Sequence, residues 1–278
     1  MTQLWCNGEW LDSEDFSASP MDRGAILGLG LFETILALDG VLVFPDRHLA
    51  RLRTGCQRLG WEIPLPDLAQ TAGDLLVLNK LTSGRARIRL AVTGGSGPIN
   101  DLTPGNDRIV SIIVRPLDDA PASLTVNLSP WPRNERSPLA GLKCASYAEN
   151  LVALDHARRQ GFDETLFLNT AGHLCEAATA NLFLVKNGAL HTPSIQSGCL
   201  PGITRAVVIE LAARHGIVCD ERVTGLDDLH SADEIFLTSS TRGLVAVSRF
   251  EERILRQDPV TESLRRCWNE ETRRKIPG

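Results

Sequence analysis

The chain is best understood from residues 141–147, which read Gly-Leu-Lys-Cys-Ala-Ser-Tyr. This stretch holds Lys143, one of four lysines beside twenty-five arginines, and Tyr147, the single tyrosine. Arginine stays charged and forms no imine at neutral pH, whereas a desolvated lysine loses its proton and its amine attacks carbonyls. A lysine among small and apolar neighbours, with a phenol nearby, is what a Schiff-base enzyme needs. Because most lysines are solvated surface residues, Lys143 supports this prediction only together with groups elsewhere in the chain.

The composition favours a globular protein without nucleic-acid, membrane or metal partners. The 278 residues suffice for two domains, and the 43% apolar and 23% charged fractions are ordinary. A net charge of −5 argues against nonspecific nucleic-acid binding, which needs a basic field. Seven scattered cysteines without a CxxC pair fit reduced thiols, and no apolar run approaches the roughly 18 residues of a membrane span. Isolated histidines and the lack of a signal peptide complete the expectation of a cytoplasmic protein with no metal.

Turn dipeptides and period-two alternation predict the strands of the first half. Asn7-Gly8 and Asp39-Gly40 lie between apolar runs, so we expect a hairpin around each of them. Further strands are expected over 85–93, where arginines alternate with apolar residues, and over 108–115.

Capping residues and glycines predict the helices. Asp46 is expected to cap a helix that ends at Gly60. A second helix is expected over 148–160, and a third is expected to begin at a Thr204 cap and to close at Gly216.

A polar segment with two prolines, 116–122, is interpreted as an interdomain linker. It divides a small N-terminal domain, 1–115, from a larger C-terminal domain, 123–278. Each domain is expected to be a mixed sheet with helices on it. Strands of the second domain are predicted over 124–129, 164–169, 181–186, 189–192 and 235–238.

Glu176 is the first group that could assist Lys143. It is followed by Ala-Ala-Thr-Ala, and four small residues let a flat ligand approach closely. A carboxylate in this setting can keep a pyridine nitrogen protonated, which makes the ring an electron sink. The alternative is a solvated turn glutamate, the commoner situation for this residue type.

Three further segments suit the oxygens of a phosphate. Leu200–Arg205 places a glycine and backbone amides at a helix N-terminus, and Thr238–Gly243 supplies hydroxyls and amides after a strand. Arg51 lies beside the apolar stripe of the first helix and can turn inward to a phosphate. Taken singly, each segment is more often an ordinary cap, loop or solvated arginine. Together with Lys143 they make up the parts of a pyridoxal-phosphate site.

Six motifs in chain order resemble those of the class IV, or fold type IV, pyridoxal-phosphate enzymes. This family includes branched-chain aminotransferases, D-amino acid aminotransferases and 4-amino-4-deoxychorismate lyases. The resemblance covers nearly the whole chain. The motifs are Gly30–Thr34, His48–Leu52, Leu142–Tyr147, Glu176–Phe183, Leu200–Arg205 and Thr238–Thr241.

The resemblance implies an α+β fold, with a small α/β N-terminal domain and a larger mixed-sheet C-terminal domain. It implies a homodimer whose active site lies between the domains and is completed by the partner subunit. Lys143 would bind the cofactor as a Schiff base and act as general acid and base at the substrate's α carbon. Glu176 would pair with the pyridine nitrogen. The residues that would hold pyridoxal 5'-phosphate are Arg51, Lys143, Tyr147, Glu176, Asn181, Ile203, Thr204, Ser240 and Thr241.

Within the family, Phe32–Thr34 and Ser240–Leu244 look most like the aminodeoxychorismate lyases, which form 4-aminobenzoate and pyruvate. Branched-chain enzymes usually have arginine at the position that matches Leu36. In D-amino acid aminotransferases an arginine follows the threonine that matches Thr93, where this chain has Gly94. These two differences argue against the ways in which branched-chain enzymes and D-amino acid aminotransferases bind their substrates. An aminotransferase acting on D-amino acids, branched-chain amino acids or (R)-amines is the alternative.

The substrate is expected to be a small amino compound with a carboxylate. The residues that could bind it are Phe32, Thr34, Arg89, Arg133 and Arg242. Two other hypotheses are a non-catalytic protein that only binds the cofactor, and a Schiff-base enzyme without cofactor. The latter would leave the phosphate segments unexplained.

Overall fold

A computed structural model describes residues 2–98, 100, 101, 103, 105–255 and 259–274. By their contacts the residues form two compact units. Unit 1 comprises Met1–Asp119, Leu142–Tyr147 and Arg273–Gly278, and unit 2 comprises Ala120–Gly141 and Ala148–Thr272. The chain first leaves unit 1 for unit 2 between Asp119 and Ala120, within the predicted linker 116–122. Residues 142–147 belong to unit 1. The division into domains 1–115 and 123–278 stays a prediction.

Unit 1 is built on an antiparallel sheet. Its six strands in the described residues are β1 (Gln3–Cys6), β2 (Glu9–Asp12), β3 (Gly30–Leu38), β4 (Val41–Leu42), β5 (Arg85–Thr93) and β6 (Val110–Pro116). They lie in the order β2-β1-β6-β5-β3-β4. Side chains alternate between the two faces, and one face buries Ile35, Ile88 and Ile112. Its helices are α1 (Arg23–Leu27), α2 (Pro45–Arg58), which packs on β3, and α3 (Leu68–Leu78), which packs on β6.

Both hairpins of the first half are confirmed, and the start of α2 is corrected. Asn7 and Asp39 have φ of +47°, and the glycine after each has positive φ too, as two-residue hairpin turns require. The helix begins at Pro45 with Phe44 as its N-cap, so the prediction of an Asp46 cap was wrong. Proline suits the first helical position because its φ is already helical and its missing N–H needs no acceptor there.

Unit 2 is built on a mixed sheet. Its nine strands among the described residues are β7 (Ser123–Leu128), β8 (Glu164–Leu168), β9 (Leu174–Ala177), β10 (Asn181–Lys186), β11 (Ala189–Pro193), β12 (Cys219–Arg222), β13 (Glu234–Ser239), β14 (Gly243–Phe250) and β15 (Arg253–Ile254). The order is β12-β11-β10-β13-β14-β7-β8-β9, with β15 paired to β14. The β11–β12, β14–β7 and β7–β8 pairs are parallel and the others antiparallel.

The helices of unit 2 are α4 (Ala148–Arg159), α5 (Ile203–Arg214), α6 (Leu226–Ser231) and α7 (Pro259–Arg273). The third predicted helix exists, but Gly202 is its N-cap, so the Thr204 cap was wrong. Thr204 lies in the first turn and is buried, which leaves no room for its hydroxyl to cap the helix from outside. Gly216 follows the helix with φ of +70°, as expected of a helix stop.

The remaining predicted strands and helices are confirmed in type, with ends that differ by one or two residues. A strand that ends near Glu176 was expected and corresponds to β9, whereas α1, α3, α6, α7, β12, β14 and β15 were not predicted. None of the helices in the described part of the chain has the length and apolar character that a membrane span needs.

Candidate functional site

Lys143 lies on a short extended segment beside the first residues of β3. Phe32 donates its backbone N–H to the Lys143 carbonyl at 2.9 Å, and Ala145 donates to the Gly30 carbonyl at 2.8 Å. Gly30 permits this approach, because a Cβ there would lie 2.9 Å from the Val92 carbonyl oxygen and 3.2 Å from the Ala145 Cβ. The lysine is therefore fixed at the edge of the unit 1 sheet by backbone pairing.

Aromatic rings and a guanidinium surround the Lys143 amine. Its Nζ lies 4.4 Å from the centre of the Phe32 ring and 5.7 Å from that of Tyr147. The two rings meet edge to face at 5.6 Å. The Arg89 guanidinium stacks on Phe32 with its Cζ 3.4 Å from the ring centre, and Thr34 is the β3 partner of Arg89. The Lys143 amine thus lies against two predicted residues, Phe32 and Tyr147, and Arg89 contacts the first of these rings.

Arg51 is held by a buried carboxylate that the sequence analysis did not single out. Its Nε and Nη2 donate to the two oxygens of Glu33 at 2.8 and 2.6 Å, and His48 Nδ1 lies 2.7 Å from Glu33 Oε2. Burial alone would raise the pKa of Glu33, but the Arg51 charge and the hydrogen bonds from Arg51 and His48 lower this pKa to about 2. Burial lowers the pKa of His48, so a neutral imidazole donates from Nδ1.

Glu176 lies in β9 and is 8% exposed, so it is not a solvated turn residue. Its Oε2 accepts the Leu200 N–H at 3.0 Å and lies 3.3 Å from Asn181 Nδ2. The same Asn181 amide donates to the Leu200 carbonyl at 2.8 Å. Glu176, Asn181 and Leu200 therefore form one hydrogen-bonded group at the segment that leads into α5.

Arg133 faces Glu176 from the same unit. Its Nη2 is 4.0 Å from Glu176 Oε1, and its guanidinium stacks on Phe167 at 4.4 Å from the ring centre. Its Nε and Nη2 are buried and have no hydrogen-bond acceptor among the described residues. This arginine adds positive charge next to the carboxylate.

The N-terminus of α5 is open to an anion. Gly202 provides no side-chain cap, and the first-turn amides, which include those of Ile203 and Thr204, have no acceptor within the helix. A Cβ on Gly202 would overlap Asn181 Oδ1, so only glycine lets the turn pass this close to Asn181. Asn181 thus links the carboxylate of Glu176 to the N-terminus of the helix.

Ser240 and Thr241 lie in the turn between β13 and β14, just past the end of a buried strand. Arg242 follows them, and its Nη2 donates to Thr179 Oγ1 at 2.6 Å and forms an ion pair with Glu164 at 3.2 Å. As a substrate ligand Arg242 stays a prediction, and the structure gives it an intramolecular partner as well.

The predicted site residues thus lie in both units: Phe32, Thr34, Arg51, Arg89, Lys143 and Tyr147 in unit 1, and Arg133, Glu176, Asn181, Ile203, Thr204, Ser240, Thr241 and Arg242 in unit 2. Sequence reasoning missed Glu33, His48, Glu164 and Thr179. For Glu33 the available indication was an acidic residue inside an apolar strand, and Glu164 begins a strand that is otherwise mostly apolar. In the described residues no group of three or more His, Cys, Asp or Glu side chains is placed to hold a metal.

Comparison with known proteins shows which family has this architecture. Residues 30–250 match the family model for amino-transferase class IV. The branched-chain-amino-acid aminotransferase of Salmonella typhimurium is 31% identical over 88% of this chain and 83% of its own length. The aminodeoxychorismate lyase of Bacillus subtilis is 28% identical over 90% and 87%. A solved Escherichia coli branched-chain amino acid aminotransferase superposes with a TM-score of 0.92 at 26% identity, covering 99% of this chain and 96% of that chain.

The chain belongs to the class IV aminotransferases and is a pyridoxal-phosphate-dependent enzyme. The hypotheses of a non-catalytic binding protein and of a cofactor-free enzyme are therefore wrong. The resemblance found in the sequence is confirmed, and so is the fold class.

The residues present fit this cofactor. Lys143 carries an amine that can react with an aldehyde, Glu176 is a buried acid that can pair with a ring nitrogen, and the start of α5 has backbone amides that can bind a phosphate. Gly202 carries no side chain beside these amides, and a Cβ there would overlap Asn181 Oδ1.

Proposed function

We propose that this enzyme acts at the α carbon and amino group of a small amino acid through Lys143, with aminodeoxychorismate lyase-type chemistry as the leading reaction. The observation that carries the proposal is the placing of the Lys143 amine against Phe32 and Tyr147, with the guanidinium of Arg89 stacked on the Phe32 ring. The bound cofactor supplies an electron sink that stabilises negative charge at the substrate's α carbon.

The chain's own residues divide the work. Lys143 Nζ attaches the cofactor covalently and moves the proton to and from the α carbon. Tyr147 lies beside this amine and serves the cofactor's phenolic oxygen. Glu176 keeps the ring nitrogen protonated, with Asn181 and the Leu200 N–H fixing its carboxylate. Arg51, the amides of Ile203 and Thr204, and the Ser240–Thr241 turn bind the phosphate.

Arg89 is the best of the three arginines for a substrate carboxylate. It lies on the same sheet face as Phe32 and Thr34, and it reaches the ring that the Lys143 amine also contacts. Arg133 instead faces Glu176, and Arg242 is paired with Glu164. A bidentate guanidinium–carboxylate contact at Arg89 orients the α carbon toward Lys143.

An aminotransferase is the second candidate, because the branched-chain relative is slightly more similar to this chain than the lyase relative is. Against a branched-chain substrate stands Leu36, which is apolar and buried where those enzymes usually have arginine. A D-amino acid or (R)-amine substrate belongs to the same candidate.

One assay separates the two candidates. Purified enzyme is given aminodeoxychorismate without any keto acid, and 4-aminobenzoate and pyruvate are measured. The lyase proposal expects both products in equal amounts over many turnovers. Strict dependence on a keto-acid acceptor would reject the lyase and favour the transferase. Lys143→Ala is expected to abolish either activity, and substantial residual turnover would contradict the role given to Lys143.

We also propose a cytoplasmic homodimer and, for the lyase, a place in folate biosynthesis. The scattered free cysteines support the cytoplasmic location, and the resemblance to the class IV enzymes is the basis for the dimer and for the pathway. Light scattering of the purified protein is expected to give twice the 30.3 kDa chain mass, and a monomer mass would reject the dimer.

A further inference from the structure

A buried acid in unit 2 connects two turns that the proposed mechanism uses. Glu164 is 0% exposed at the first residue of β8. Its Oε2 accepts a short hydrogen bond from the Thr179 hydroxyl and pairs with Arg242 Nη2 at 3.2 Å. Arg242 Nη2 also donates to the Thr179 hydroxyl at 2.6 Å, which closes a ring of three polar side chains.

Each partner of Glu164 belongs to a different turn. Thr179 lies in the turn between β9, which carries Glu176, and β10, which begins at Asn181. Arg242 ends the Ser240–Thr241 turn between β13 and β14, and its Nε contacts the Ser239 hydroxyl at 3.3 Å. The ring therefore ties the turn next to the proposed pyridine acid to the turn proposed for the phosphate.

The burial of Glu164 makes this connection strong. A carboxyl group with no access to solvent must keep its hydrogen-bond partners, because removing one partner leaves a buried polar group unpaired. Arg242 keeps only 23% of its side chain exposed, so its guanidinium is committed to this contact. A guanidinium that is already bound to Glu164 and Thr179 is poorly suited to bind a substrate carboxylate that must associate and dissociate in each turnover.

We propose that Arg242 is a positioning residue for the cofactor phosphate and does not bind the substrate carboxylate. Acting through Thr179 and Glu164, it holds the Ser240–Thr241 amides and hydroxyls in the geometry that the phosphate requires. This inference rests on the proposed function, specifically on the phosphate role of Ser240 and Thr241.

The test compares Thr179→Val with wild type in the binding of pyridoxal 5'-phosphate and of pyridoxal to the cofactor-free protein, followed by absorbance. Valine keeps the shape of threonine and leaves the direct Arg242–Glu164 ion pair, but it removes the hydroxyl that ties this pair to the turn between β9 and β10. We expect phosphate-bearing cofactor to bind about tenfold more weakly and pyridoxal to bind as before, because only the phosphate contacts are loosened. Unchanged affinity for both would overturn the inference.

Arg242→Met separates the two roles of this arginine. A positioning role predicts the same selective loss of phosphate affinity, with the KM for the carboxylate substrate unchanged once cofactor is saturating. A substrate-binding role predicts the reverse, a raised KM with unchanged cofactor affinity, and that result would contradict the proposal. Because Arg242→Met could fail to fold, Thr179→Val, which keeps the ion pair, is decisive on its own.

Thr170→Val is the matched control. Thr170 also donates its hydroxyl to a carboxylate of unit 2, that of Glu135, at 2.8 Å, but no proposed cofactor residue takes part in that pair. It is expected to leave both affinities unchanged. Should wild type bind the two cofactor forms equally, the phosphate site itself fails, which distinguishes failure of the proposed function from failure of the role of Arg242.

Discussion

Glu33 keeps a full negative charge in the interior of unit 1. It is 1% exposed, and three nitrogen atoms from Arg51 and His48 contact its two oxygens. Such a network resists the motion of any one member, because a freed partner would leave a buried charge or an unsatisfied donor. Glu33 therefore fixes the Arg51 guanidinium in place ahead of any phosphate that it binds.

Replacing Glu33 with glutamine is expected to change the acid stability of the protein. The pKa of Glu33 is about 2 in the folded chain against an ordinary 4.5, so its stabilisation is complete above pH 4.5 and is lost as the pH falls through 2. Wild type should lose about 3 kcal/mol more of its unfolding free energy than Glu33→Gln between pH 5 and 2. Urea titrations across this range measure the difference. Parallel pH profiles of the two proteins would show that Glu33 is not charge-stabilised.

At the residue scale, sequence reasoning pointed to groups with distinctive chemistry and missed polar groups whose importance comes from their partners. Lys143 was recognisable from the scarcity of lysine and from the lone tyrosine beside it. Glu176 could be singled out only because a run of small residues follows it. Glu33 and Thr179 owe their roles to side chains far away in sequence, and no local pattern states which partner an acid or a hydroxyl will meet.

The N-terminus of α5 shows how one element depends on a missing side chain. Gly202 caps the helix with an ordinary φ of −68°, which any residue can adopt. Glycine is required there because there is no room for a Cβ. The space is occupied by Asn181 Oδ1, and the amide of Asn181 is in turn held by Leu200. The helix start, the Glu176 carboxylate and Asn181 are therefore one packed arrangement.

Gly202→Ala is expected to displace Asn181, weaken the binding of pyridoxal 5'-phosphate and destabilise the protein by about 1–3 kcal/mol, the usual cost of overpacking. Gly73→Ala in α3 is the control, because no heavy atom lies within 4 Å of its added Cβ. That change should be neutral or stabilise by about 1 kcal/mol, since alanine is the better helix residue. Thermal melts and cofactor titrations measure both variants. Equal behaviour of the two would contradict the packed arrangement.

At the element scale, locally determined features were predictable and packed ones were not. The Asn7-Gly8 and Asp39-Gly40 turns need positive φ, and asparagine, aspartate and glycine are the residues that tolerate it best, so the sequence predicts these turns. The start of α2 was misplaced by two positions because Asp46 looked like a cap, while Pro45 fits the first turn better. Helix α7 begins where Glu234 accepts the Val260 and Thr261 N–H groups, a contact between distant segments that no sequence window contains.

For the whole molecule, the order of the chain does not give the order of the contacts. Residues 142–147 follow the first strand of the larger predicted domain, yet they pair with β3 and belong to unit 1. Composition can identify the 116–122 segment as a linker. The pairing of residues 142–147 with a strand more than 100 residues earlier in the sequence has no signature in the composition. Only the resemblance to a known family could have implied it.

Removing the cofactor is expected to destabilise the whole enzyme. A ligand that binds only the folded state adds about 2.7 kcal/mol to its stability at a free concentration one hundred times its Kd. The melting temperature of wild type should therefore rise on addition of pyridoxal 5'-phosphate, and Lys143→Ala should show a smaller rise. Calorimetry of both proteins with and without cofactor measures this. Equal shifts would contradict a covalent contribution from Lys143.

The account rests on the attachment of the cofactor to Lys143, and reduction of the loaded enzyme tests this directly. Borohydride treatment followed by peptide mass analysis locates the phosphopyridoxyl group on one of only four lysines, Lys80, Lys143, Lys186 or Lys275. The expected result is a single label on Lys143, absent from Lys143→Ala treated in the same way. A label on any other lysine of the wild-type enzyme, or no label on enzyme that turns over its substrate, would contradict the account.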